Sequence, residues 1–166
     1  MRYASRMDQP HPINRTLLTV LDNQTRRLHA ALDDLPAGAL DAAPGGDCNS
    51  IRGIVAHLVN LRWFLLTLLE SPLAAKVQRL EPGDAGGLTL DDLRTRLNGA
   101  TEMLREAIAA HDPDDWYRTP DQPREGLWGE LPTIERFVRP LNDFTNHLGA
   151  VRAIRRIAGC PAGTTQ

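Results

Sequence analysis

The sequence predicts an all-α protein folded as a four-helix bundle. Four long segments repeat apolar residues at helical spacings, the pattern of a helix with one buried face. No stretch shows the strict apolar–polar alternation of a half-buried strand. With no sheet to cover, four amphipathic helices must bury their stripes against one another.

The first segment runs from about residue 13 to residue 35, with Leu17, Leu21, Leu28, Leu32 and Leu35 in its stripe. Asn14 favours its start, and Pro36 with Gly38 stops it. The second opens at Asn49 or Ser50, either of which offers a side-chain oxygen to an early backbone N–H. Ile51, Ile54, Val55, Leu58, Leu61, Leu65, Leu68 and Leu69 form its face, and Pro72 implies an end near residues 70–71. "EPGDAGG" reads as a flexible turn region.

Thr89 caps the third segment, with Asp92 placed for a capping box. Its stripe is Leu90, Leu93, Leu97, Ala100, Leu104 and Ile108. Gly99 costs about 1 kcal/mol against Ala in mid-helix, which a close helix crossing would explain. The segment fades at His111, and a long Trp/Pro/Gly loop, "WYRTPDQPREGLWGELPT", follows and is expected to cover one end of the bundle. The fourth segment extends from about residue 133 to residue 158, faced by Ile134, Val138, Leu141, Phe144, Leu148, Val151 and Ala158. Pro140 lies inside it and is expected to kink it just upstream. The connections are long enough for non-sequential neighbours, so the topology stays open.

A length of 166 residues suits one domain with a core of its own. The expected organisation is a flexible N-terminal arm at 1–12, a single bundle domain at 13–159 and a tail at 160–166. A net charge of -2 favours neither nucleic acid nor an anionic membrane as partner. Cys48 and Cys160 lie far apart, form no metal-spacing pattern and suit a reducing compartment. "MRYASRMDQPHP" lacks the apolar centre of a secretory signal, and no uninterrupted apolar run reaches membrane-spanning length. A soluble cytoplasmic protein is expected.

The chemistry-bearing candidates are His57, Asp143 and His147. Asp143 and His147 stand four apart and therefore project from one side of the last helix. His57 shares the side of Leu61, Phe64 and Leu68 on the second helix, so all three fall at the margin of the core. Two imidazoles and a carboxylate suit a divalent zinc, iron, nickel or manganese ion, with positions left open for water, a thiolate or a substrate oxygen. Such residues are also common as a helix-surface pair and a satisfied half-buried histidine, and the residues alone leave both readings standing. The arginines of "RAIRR" read as complements to the helix dipole. Cys48 has no acid–base partner in the sequence.

"SIRGIVAHLVNLRWFLL" and "LNDFTNHLGAVRAIRR" resemble the DinB/YfiT-like superfamily of bacterial four-helix bundles, over about residues 13–159. The resemblance implies three metal-binding positions, one on the second helix and two on the last. His57 and His147 match the first and third, and Asp143 stands where many members have histidine. It further implies a homodimer and a small-molecule substrate. The reaction would be metal-dependent transfer of an electrophile to a low-molecular-weight thiol (mycothiol, bacillithiol or glutathione) or hydrolysis. The alternative is a non-catalytic dimeric bundle, stress-associated or binding a small molecule, with a structural or absent metal. Trp63, Trp116, Tyr117 and Trp128 are candidates to wall the pocket and equally candidates for core or loop packing, and Glu135 and Asn146 are candidates to orient a histidine.

Overall fold

The computed structural model describes residues 10–45, 49–81, 83–119 and 129–160. Most of the predicted N-terminal arm, Cys48, Trp128 with the centre of the Trp/Pro/Gly loop, and nearly all of the tail lie outside them. Four α-helices occur among the described residues: α1 (Pro12–Leu32), α2 (Ile51–Leu68), α3 (Leu90–Ala110) and α4 (Thr133–Ile157). No strand occurs among those residues.

Local chemistry sets the helix ends. The Ser50 hydroxyl accepts from the Gly53 N–H at the start of α2. Thr89 and Asp92 form the reciprocal capping box at α3. Pro12 rather than Asn14 opens α1, since a proline at the first helical position forfeits no helical hydrogen bond. α1 stops at Leu32, short of the expected Leu35, where Asp33 turns extended and Asp34 takes φ 55. α2 likewise stops before the expected 70–71, because Glu70 adopts φ 52 and the Ser71 N–H turns back to the Leu66 carbonyl. Gly159 closes α4 in the same motif with φ 70, and the Cys160 N–H reaches the Arg155 carbonyl.

Cross-helix hydrogen bonds define the topology. Asp33 meets Arg94, His29 meets Asn98 and Asp22 meets Arg105, so α1 and α3 are antiparallel. Gln24 donates to the Leu141 carbonyl and Arg155 to the Ala31 carbonyl, so α1 and α4 run parallel. His57 beside His147 and Arg62 over Phe144 make α2 and α4 antiparallel. The bundle is therefore up-down-down-up. Each of α1 and α2 packs chiefly on α3 and α4, which sets α1 diagonally across from α2.

Parallel neighbours α2 and α3 need a crossover that returns along the bundle. Asn60 holds it, donating to the Leu80 carbonyl at 2.7 Å and accepting from the Leu80 N–H at 2.9 Å. The stretch expected to be a flexible turn contains a 3-10 turn at Asp84–Gly87, with Ala85 buried and the Asp84 carboxylate accepting from the Glu81 N–H.

The core divides into two apolar clusters along the bundle axis. α2 has the length and composition of a membrane span, and 61% of that window is buried inside the bundle. Gly99 is exposed and a Cβ there would meet nothing within 4 Å, so no close crossing requires it. α4 continues as one helix through Pro140, whose ring is buried.

Candidate metal centre

His57 comes from the middle of α2, and Asp143 and His147 from the middle of α4. The two helices are antiparallel neighbours, so the trio meets at their seam. One ligand atom from each residue lies within 4.8 Å of the other two. The imidazoles of His57 and His147 stand 4.6 Å apart between centroids, tilted by 54°. Asp143 Oδ2 lies 3.1 Å from His147 Nε2, and Asn146 donates to the other Asp143 oxygen at 3.2 Å. His57 is exposed, while Asp143 and His147 are partly buried.

Desolvation lowers the His57 pKa below its ordinary 6.5, and the neighbouring His147 lowers it further, against the opposing pull of Asp143. Neutral imidazole is the form that ligates a metal. Two imidazoles, a carboxylate and one exposed edge thus form a donor set that fits a divalent cation with protein on one side and an approach from solvent on the other.

His57 and Asp143 open onto a groove of about 660 Å³ between α2 and α4, and His147 stands behind them without lining it. His57, Leu61 and Phe64 line one side. Arg139, Pro140, Asn142, Asp143 and Asn146 line the other. Among the described aromatic candidates, Trp63, Trp116 and Tyr117 do not line the groove, and packing is the alternative that holds for Trp116. Trp116 is fully buried in the core, donating its indole N–H to Asn14 at 2.7 Å and packing edge-on to Phe137. Tyr117 is 66% exposed away from the groove, and Trp63 lies under Arg79 at 4.2 Å. Phe64, three residues beyond Leu61 on the His57 side of α2, is the groove's aromatic residue. Asn146, a candidate to orient a histidine, donates instead to the Asp143 carboxylate. Glu135 does not line the groove. It is exposed in the first turn of α4, eight residues before Asp143, a rise of roughly 12 Å.

Arg139 and Pro140 also line the groove, and helical spacing places both about one turn before Asp143. Arg139, Asp143 and His147 recur every four residues, as do His57 and Leu61.

A sequence profile described as the DinB superfamily matches residues 21–147, a span that includes His57, Asp143 and His147. The chain belongs to the DinB superfamily, and its bundle is of that type. No curated protein and no solved structure gives a significant match to it.

Proposed function

We propose that the protein is a divalent-metal-dependent enzyme in which His57, Asp143 and His147 hold the cation and the α2–α4 groove receives a small substrate. The observation that supports this most is where the three donors converge. They meet at the α2–α4 seam, where two of them, His57 and Asp143, line an open groove. Zinc, nickel, iron(II) or manganese(II) would suit the donor set. Such a cation, when bound, supplies Lewis-acid chemistry that eases deprotonation of a thiol or a water.

The chain's own residues perform the rest. Asn146 fixes the Asp143 carboxylate by donating to its free oxygen. Leu61, Phe64 and Pro140 give the groove an apolar wall that displaces water from a bound molecule. The reaction is transfer of a small electrophile to a low-molecular-weight thiol. The thiol proton passes to solvent, a carbon–sulfur bond forms, and the leaving group departs with its bonding pair. Hydrolysis is the same step with water in place of the thiol. The reading takes the protein as a cytoplasmic homodimer.

The test reconstitutes tag-free protein with each of the four metals and incubates it with thiols (mycothiol, bacillithiol, glutathione, cysteine) and a panel of electrophiles and esters. Metal-dependent loss of free thiol or ester, absent in His147→Ala, is the expected result. Bound metal with no turnover of any pair would favour the non-catalytic bundle.

A further inference from the structure

We propose that the centre of the bundle is a buried binding site for a monoatomic anion of the halide class, held by the Arg62 guanidinium with help from the Thr101 hydroxyl. The site lies in the core and does not depend on the metal reading.

Three polar side chains interrupt the core at one level. Gln24 of α1, Arg62 of α2 and Thr101 of α3 are each more than nine-tenths buried. Each falls where the two apolar clusters meet. Gln24 stands between Leu21 and Leu28, Arg62 between Leu58 and Leu65, and Thr101 between Leu97 and Leu104. Cross-helix pairs agree on the level. Asp22 with Arg105 and His29 with Asn98 bracket both Gln24 and Thr101 along α1 and α3. Gln24 donates to the Leu141 carbonyl, and Arg62 stacks on Phe144, the next turn of α4. Gln24 Oε1, Thr101 Oγ1 and all three Arg62 nitrogens are sealed from solvent, with no hydrogen-bond partner among the described residues.

The balance of donors and acceptors favours an anion over water. A guanidinium carries five N–H donors and no acceptor, a hydroxyl adds one more donor, and an amide oxygen only accepts. Donors therefore exceed acceptors in this layer. A water molecule brings as many donors as acceptors, so bridging water leaves the excess in place. An anion brings acceptors alone. It also offsets the positive charge, which burial makes costly when no counterion is near. Gln24 Oε1 would face the guanidinium and turn away from the anion. The seal from solvent sets the size of the guest, because the charged head of a larger molecule would need a path for its tail to the surface.

The test follows the melting temperature of tag-free protein as sodium gluconate is exchanged for chloride or bromide at constant ionic strength. A rise of about 3–6 °C is expected once halide reaches about tenfold its dissociation constant. In gluconate, where the charge is uncompensated, Arg62→Met should melt at or above the parent, and it should not respond to halide. Thr101→Val, a near-isosteric change, should need severalfold more halide for the same rise, and it serves as the probe if Arg62→Met does not fold. The rise should persist in His147→Ala, which separates it from a halide held by a metal. Crystals grown in bromide should scatter anomalously beside the Arg62 guanidinium. Equal melting temperatures in halide and gluconate, a rise that survives Arg62→Met, or a rise lost in His147→Ala would overturn the proposal. Ordered water without bromide at Arg62 would overturn it as well.

Discussion

Arg62 is the residue most at odds with its surroundings. Its side chain is fully buried on α2, and none of its three guanidinium nitrogens has a hydrogen-bond partner among the described residues. It stacks on Phe144 with 4.7 Å between guanidinium carbon and ring centroid. Burial pulls its pKa down to about 10, which leaves it charged at neutral pH. A buried charge without a counterion opposes folding, so Arg62→Met should stabilise the fold by about 1–3 kcal/mol in urea titrations. A clear loss of stability would show that stacking on Phe144 outweighs desolvation. His111 gives a pH-dependent counterpart. It sits 4.3 Å from the Trp116 ring, and burial lowers its pKa below 6.5 against the pull of Asp115 and Asp112. The unfolded chain then takes up protons near pH 6.5 while the folded chain resists. This contribution is complete above 6.5 and is lost as pH falls toward the folded value. Melting temperature should drop between pH 7 and 5, less steeply in His111→Gln; an unchanged slope would remove His111 from the account. Helical period placed His57, Asp143 and His147 each at the margin of the core, because that needs only its own helix's phase, and the family resemblance joined them into one site. Asn14, Arg62 and Arg155 were not legible as buried residues, because their partners come from distant segments. Asn14 binds Trp116 and the His111 carbonyl, and Arg155, expected to serve its own helix dipole, donates to the Ala31 carbonyl at the end of α1.

At the scale of the element, the helices were readable where a signal is local. The Ser50 and Thr89 caps lie within three residues of their partners, and both stand as the sequence indicates. Ends set by tertiary contacts were not. α1 was expected to reach Leu35, yet Arg155 draws on the carbonyls of Ala31 and Asp33 and the chain turns extended there. Glycine usage also depends on context that sequence hides. Gly99 faces solvent with open space around its missing Cβ, so its place in α3 is an unrelieved conformational cost. Gly99→Ala should raise stability by about 0.5–1 kcal/mol, measured by chemical denaturation. A decrease would mean that a surface contact depends on the absent side chain.

For the whole molecule, the four apolar stripes dictated a bundle but not its order, since any ring of four helices buries them. The up-down-down-up arrangement follows from individual pairs such as Asn98 with His29 and Arg94 with Asp33, together with the Asn60 clamp on the crossover. That arrangement creates the site, because antiparallel contact between α2 and α4 is what sets His57 against His147. With α2 parallel to α4, the middle of each helix could still meet, but Leu61 and Phe64 would face away from Pro140 and Arg139. The fold thus fixes both the donor set and the direction of the groove that leads from it. The claim that the trio is a metal centre is tested most directly by elemental analysis of purified, tag-free protein beside His57→Ala, Asp143→Ala and His147→Ala. The account predicts near-stoichiometric divalent metal in the parent after repletion and its loss in all three variants, with a chelator-sensitive melting temperature in the parent alone. A parent that holds no zinc, nickel, iron or manganese after repletion, or an Asp143→Ala variant that keeps its full complement, would contradict it.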